Sequence, residues 1–378
     1  MNSSPRRQFL QGAEGAEALS STRMRAAIRP RPELGQLSAY RLGVDAAVKL
    51  NRNESPLDWP PEFKAEVLRR VAARPWNRYP AVDGAEIREA FARAVGVAAS
   101  MVAVANGSNE AILALVEAFA TGRPVVLTAP GYSLSRPLAV IGGAEAHAVV
   151  LRPDFGLDVP AMLRAIDACR AAIVFLASPN NPTGNAFARA DVEAILDAAP
   201  GVVVVDEAYV QFGRGSLLPD LARYPQLVVL RTFSKAFALA GARIGWIVGG
   251  EAVIDAVSRT LPPYNLNVFG QESALLALDR PDQVSERVRL IVEERERLRS
   301  AMTRVDGVTA YPSETNFILF RTALAAEVLF ARLLDRGVLV RDVSTQPLLE
   351  RCLRVTVGTP QENDRFVAAL RGSLEDES

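Results

Sequence analysis

From about residue 85 the chain alternates between amphipathic stretches and short apolar runs. "AEIREAFARAVG" places apolar residues three and four apart, the mark of a helix with one buried face. The runs are "MVAVANG", "RPVVLTAPG", "AEAHAVVL", "AAIVFLASPNNP", "GVVVVDEAY", "QLVVLRTFSK" and "RIGWIVGG", mostly β-branched and closed by turn residues. Strands apolar at successive positions are covered on both faces, so the pattern predicts an α/β fold with a seven-stranded, mostly parallel sheet between helices. After residue 280 the rhythm changes. "PDQVSERVRLIVEERERLRSAMTRV" sets Val284, Val288, Ile291, Leu298, Met302 and Val305 on one helical face, with charges on the other. "NFILF", a helix at about 325–336, "GVLVRDV", "CLRVTVGT" and a final helix predict a smaller α+β domain. The organisation expected is an arm over 1–30 and a segment over 31–60 packing with the small domain. A large domain follows over 61–280, and the small C-terminal domain over 281–378.

Composition narrows the chemistry. With 378 residues, 49% hydrophobic and 23% charged, the chain reads as an ordinary globular protein of about two domains. Lys and Arg number 43, as do Asp and Glu, so charge gives no sign of a nucleic-acid or membrane partner. The two cysteines, Cys169 and Cys352, form no CxxC pair and read as buried thiols of a reducing compartment. The single histidine, His147, excludes a multi-histidine metal centre, and its alternating strand context gives it no catalytic company, so no metal is expected. Arg6-Arg7 near the start is a faint echo of an export signal. Glu14 and Glu17 interrupt the apolar stretch such a signal needs, so the expectation is a disordered arm and a cytoplasmic protein.

Polar residues gather just past the carboxyl ends of the runs, where open α/β sheets bind ligands. "NGSNEAI" sets Gly107, Ser108 and Asn109 at a helix start, whose free N–H groups and dipole suit an anion. "SPNNPTG" puts Asn181 after a strand, before a proline that biases it to extended backbone. "VVVVDEAY" ends a buried run in Asp206, a carboxylate that needs a cationic or donor partner, with Tyr209 three residues on. "RTFSKAFALAGAR" adds Ser234, Lys235 and Arg243 among small residues, and a desolvated lysine is a usable amine nucleophile. Each stretch alone is commonplace. Together they meet the demands of pyridoxal 5′-phosphate: an anion site for its phosphate, a carboxylate for its ring nitrogen, donors for its ring oxygen and an amine for its aldehyde.

Over residues ~35–372 the chain resembles the histidinol-phosphate aminotransferase group of the fold-type I, class I/II pyridoxal-phosphate enzymes. The motifs are "LNRNESP", "NRYP", "NGSNEAI", "SPNNPTG", "DEAYVQF", "RTFSKAFALAGARIG", "SETNFIL" and "LRVTVGT". The resemblance implies Lys235, Asp206 and Tyr209 as catalytic residues, with Lys235 bearing the cofactor and moving the proton at the substrate Cα. It implies Gly107, Ser108, Asn109, Ser234 and Arg243 around the phosphate, Asn181 and Tyr209 at the ring oxygen, Asp206 at the ring nitrogen and Tyr132 on the ring face. For substrate it implies Arg354 at the amino donor's carboxylate, Arg341 and a partner-subunit Tyr264 at the substrate phosphate, and Tyr40 and Asn181 at the pocket. A homodimer is implied too.

This chain departs from the group's usual residues at Ser55, Asn109 and Ser135, where loss of bulk at 55 and 135 bears on substrate fit. The reading that follows is transfer of an amino group from histidinol phosphate to 2-oxoglutarate in histidine biosynthesis, by a ping-pong cycle through Lys235. Two alternatives keep the cofactor: an aromatic or other amino-acid aminotransferase, and a lyase like threonine-phosphate decarboxylase.

Overall fold

The computed structural model describes residues 29–39 and 43–375. Most of the expected arm, and Tyr40, lie outside the described residues. Residues 29–39 carry one 3-10 turn, Pro32–Gln36. Residues 43–375 belong to a second compact unit.

All seven apolar runs become strands of one sheet. They are β2 (Val102–Ala105), β3 (Pro124–Ala129), β4 (Glu145–Val150), β5 (Ile173–Ala177), β6 (Val202–Asp206), β7 (Leu227–Thr232) and β8 (Gly245–Gly249), following a short β1 (Val48–Lys49). Their order is β2-β8-β7-β6-β5-β3-β4, and only β8 runs against its neighbours. Alternation along the strands explains the two covered faces. Val203, Val205 and Val229 join a core with Ile87, Phe91, Met162 and Ile195 from helices on one side. Val202, Val204, Val228 and Leu230 join Ile112, Leu115 and Ile254 on the other. Burying each such side chain stabilises the fold by about 1.5–3 kcal/mol.

The second sheet is antiparallel, in the order β12-β13-β10-β9: β9 (Thr309–Ala310), β10 (Phe317–Arg321), β12 (Arg341–Asp342) and β13 (Cys352–Thr356). Ile318, Phe320, Leu353 and Val355 bury against Leu329 and Leu333 of the helix Ala326–Asp335 and Phe366 of the helix Pro360–Glu375. Between them β11 (Val338–Leu339) pairs in parallel with β1, so residues 48–49 are stitched to this part of the chain.

The long helix spans Pro281–Met302 and buries Val284, Ile291, Leu298 and Met302, with Val288 partly covered. The expectation that its charges lie on the opposite face needs correction, because Arg287 and Arg295 are also buried. Their guanidinium groups satisfy loop carbonyls that would otherwise be stranded. Arg287 donates to Leu57 O and stands 4.7 Å over the Trp59 ring, while Arg295 donates to Phe212 O at 3.2 Å and Thr315 O at 3.0 Å. Cys169 is half-buried rather than buried, whereas Cys352 is buried as expected, and both thiols are free.

Candidate active site

The site begins where β5, β6 and β7 end together. Asp206 closes β6, between Ala177 and Leu230 of its neighbours. Withdrawal from water pushes its carboxyl up to about 6; Glu207 pushes the same way, while the Ala208 N–H, donating to Oδ1 at 3.0 Å, and Lys235 pull it back. The next residue turns away from the site. Glu207 is buried and accepts from Leu217 N at 2.6 Å, Ser216 Oγ at 2.8 Å and Arg231 Nη2 at 2.8 Å. Two adjacent carboxylates thus have different tasks, one locked in an ion pair and one facing the ligand side.

Lys235 follows β7. Its Nζ donates to the carbonyls of Arg52 at 3.1 Å and Asn53 at 3.0 Å, and stands 5.8 Å from the Tyr209 ring centre. Burial first, and then the Arg354 charge, lower its amine to about 8. About a tenth is therefore neutral at pH 7, far more than for an ordinary lysine. Tyr209 is buried, packs edge-on to Phe317 at 5.2 Å, and accepts at Oη from Asn53 Nδ2 at 2.8 Å. Burial pushes its phenol up.

The anion end lies at the helix Ser108–Phe119. Its first-turn N–H groups have no intrahelical acceptor. Gly107 has φ +82°, and a Cβ there would collide with the Arg243 guanidinium; one on Gly245 would stand 2.7 Å from Gly107 C. Arg243 itself has φ +59°, a left-handed backbone uncommon for a long side chain and tolerated where surrounding structure fixes it. Ser234 is buried, with its Oγ 3.0 Å from Thr232 Oγ1. Tyr132 Oη donates to Asn109 Oδ1 at 2.8 Å, tying the loop after β3 to this helix start.

Beside these groups opens a cavity of about 290 Å³, lined by Tyr132, Asn181, Arg354, Arg341, Arg136 and Gln346 among others. The peptide bond from Asn181 to Pro182 is cis. Arg354 is buried, donating through Nη1 to Asn181 Oδ1 at 2.5 Å and through Nη2 to Asn51 O at 2.8 Å. That bond occupies the Asn181 oxygen and leaves its NH₂ to donate elsewhere. Arg341 of β12 is the direct cross-strand partner of Arg354 of β13. Like charges facing each other across a sheet repel, so the pair is a natural seat for an anion.

The chain thus brings Lys235, Asp206, Tyr209 and Asn181 to one end of the sheet, the Gly107–Asn109 start beside Arg243, and Arg341 and Arg354 to one cavity. Tyr264 does not line that cavity; it is exposed, with φ +60°, and stacks on Tyr79 at 4.5 Å. Three contributors escaped the sequence reading. Arg136 is an exposed rim arginine, Gln346 accepts from Gly131 N at 2.9 Å across the cavity, and Asn53 holds both Lys235 and Tyr209. Only Asn53 left a trace, inside "LNRNESP". The donor set suits pyridoxal 5′-phosphate: a cation and helix start at a cradle any Cβ on Gly107 would fill, a carboxylate, two donors and a nucleophilic amine.

Residues 45–370 match the family Aminotransferase class I and II. Histidinol-phosphate aminotransferase 2 of Nitrosococcus oceani is 41% identical over 356 residues, covering 93% of this chain and 98% of that one. Histidinol-phosphate aminotransferase of Pyrococcus furiosus is 40% identical over 327 residues, 86% of this chain and 92% of its own. Among solved structures, histidinol-phosphate aminotransferase from Sinorhizobium meliloti in complex with pyridoxal-5′-phosphate superposes with a TM-score of 0.84 at 26% identity, covering 93% and 98% of the two chains. The fold is that of the fold-type I enzymes, and the chain belongs to the class I and II aminotransferases, among the histidinol-phosphate aminotransferases.

Proposed function

We propose that this chain is a pyridoxal-phosphate-dependent aminotransferase that moves the amino group of histidinol phosphate to 2-oxoglutarate, giving imidazole acetol phosphate and glutamate, in histidine biosynthesis. One observation carries the substrate choice. The face-to-face Arg341–Arg354 pair, whose Arg354 charge reaches the Lys235 amine, asks for a substrate with an anionic group near its amino group. Relatives 41% and 40% identical bear the corresponding name.

Bound pyridoxal 5′-phosphate supplies an electrophilic carbon for amines and a protonated ring that accepts an electron pair. The chain's own residues do the rest. Lys235, with its amine lowered to about 8, would bear the cofactor and would be the group that takes and returns the proton at the substrate Cα. Asp206 would favour a proton on the ring nitrogen by its charge. Tyr209 and the Asn181 NH₂ donate to the ring oxygen, and Tyr132 covers the ring face. Gly107, Ser108 and Asn109, with Ser234 and Arg243, hold the phosphate. Arg354 grips the carboxylate of glutamate bidentately, and Arg341 the phosphate of histidinol phosphate.

The reading extends to a cytoplasmic homodimer. Tyr79 and Tyr264, 81% and 40% exposed, stack on each other and form an aromatic patch that a second copy would cover while presenting its Tyr264 to this site. Free Cys169 and Cys352 suit a reducing compartment. Among the described residues no helix is long and apolar enough to cross a membrane.

The test is single-turnover absorbance on cofactor-loaded protein, with histidinol phosphate, glutamate, phenylalanine and threonine phosphate offered separately. Histidinol phosphate and glutamate should each convert the cofactor band to that of the aminated form. Conversion by phenylalanine and not by histidinol phosphate would replace the substrate, and carbon dioxide release from threonine phosphate would replace the reaction.

A further inference from the structure

Asn53 sits in the strap between β1 and the helix Pro61–Ala73, buried, with φ +55°. Asparagine tolerates this left-handed backbone better than most residues, and the surroundings hold it there. Its carbonyl accepts from Lys235 Nζ and from Asn316 Nδ2, both at 3.0 Å. Its side chain closes a chain of bonds toward Tyr209. Asn53 N–H donates to Thr356 Oγ1 at 2.9 Å, Thr356 Oγ1 donates to Asn53 Oδ1 at 3.2 Å, and Asn53 Nδ2 donates to Tyr209 Oη at 2.8 Å.

Satisfying the buried Thr356 hydroxyl sets the direction of these bonds. Its oxygen accepts the Asn53 N–H and its proton is matched by Asn53 Oδ1; turning the amide over would take that acceptor away. With Oδ1 assigned, the NH₂ must face Tyr209. The Tyr209 oxygen is then an acceptor on that side, and its one proton must point elsewhere. Edge-on packing against Phe317 keeps the ring from swinging away.

We infer that Asn53, oriented by Thr356, is a positioning residue that turns the Tyr209 hydroxyl proton into the site, making Tyr209 an obligate donor to the ring oxygen of the bound cofactor. This rests on the aminotransferase reading. Thr356 and Asn316 belong to the second sheet and its approach, Tyr209 and Lys235 to the ends of the large sheet.

The test is a pH titration of the absorbance of pyridoxal 5′-phosphate-loaded protein, for the unsubstituted chain, Asn53→Asp and Thr356→Val, each repeated in a Tyr209→Phe background. Loss of a donor makes the ring oxygen more basic, so the proton it shares persists to higher pH. An aspartate accepts where asparagine donates, and would draw the Tyr209 proton to itself. Asn53→Asp should raise the midpoint by about one pH unit. Thr356→Val, uncharged and nearly isosteric, should raise it less, and neither should add to the shift of Tyr209→Phe. An equal shift from Asn53→Asp in both backgrounds would reveal only the new charge and overturn the inference. So would an unmoved midpoint in Thr356→Val, which decides the matter if Asn53→Asp fails to fold. An unsubstituted protein that takes up no cofactor would overturn the functional reading as well; one that loads and titrates indifferently to these changes overturns the inference alone.

Discussion

The two walls of the site are built on different terms. At the ends of β6 and β7, Asp206 and Lys235 stand on strands whose apolar neighbours are buried on both faces, and each titratable group there is shifted by lost water. At the opposite wall Arg341 stands on a two-residue strand, and Arg136 is an exposed residue of the rim. The first wall fixes chemistry through desolvation, where one charge is worth several times its value in water. The second gathers charge near solvent, where screening weakens each group and the cluster matters more than its members. The contrast ranks the expected effects of substitution: large and qualitative at the strand ends, small and salt-dependent at the rim.

The largest effect falls on Lys235. Lys235→Ala should lower turnover about 10⁴-fold or more, with unchanged circular dichroism, because among the described residues no other lysine stands at the strand ends where the proton must move. Turnover within tenfold of the parent would break the contrast at its strongest point. A milder test uses pH. Only the neutral amine attacks an aldehyde, so the rate of cofactor uptake by the cofactor-free protein should rise about tenfold per unit up to about pH 8 and level off above it. Asp206 supplies the acid side. Its folded value of about 6 exceeds 3.8, so between these the native state binds more protons than the unfolded one, and the cofactor-free chain loses stability as pH rises through that window. A protonated ring nitrogen reverses the balance, so thermal stabilisation by the cofactor should grow from pH 5 to 7. A stabilisation that is flat with pH would separate Asp206 from the ring.

What could be read from the chain follows the same divide. Seven strands were legible because burial on both faces writes uninterrupted β-branched runs, and the runs of β2, β5, β6 and β7 end in the polar residues at the ligand side. Which of Asp206 and Glu207 faces that side follows from alternation along the strand. Arg287 and Arg295 were misread, since amphipathic periodicity sends every charge outward and carries no information about carbonyls on other segments. The Arg341–Arg354 facing depends on strand register, and Asn53 meets Thr356 across 303 positions. No local pattern encodes such pairings. Arg136 was illegible for a simpler reason: an exposed arginine at a helix start resembles any surface charge.

Arg136 therefore gives the finest test of the rim. It lines the same cavity as Arg341 and Arg354, with Asp342 the one carboxylate among the lining residues. Three guanidinium groups against one carboxylate leave a positive field that a phosphate dianion feels more strongly than a monocarboxylate. Exposed as it is, Arg136 should contribute about 0.3–1 kcal/mol to that attraction. Arg136→Gln should raise KM for histidinol phosphate about two- to fivefold, leave kcat unchanged, and affect glutamate less. The difference should fade at high salt, since screening at 0.5–1 M reaches within about 3–4 Å. Arg341→Gln, in direct register with Arg354, should cost several times more. If Arg136→Gln were as damaging as Arg341→Gln and indifferent to ionic strength, Arg136 would be a direct ligand of the phosphate, and the boundary between the two walls would run outside it.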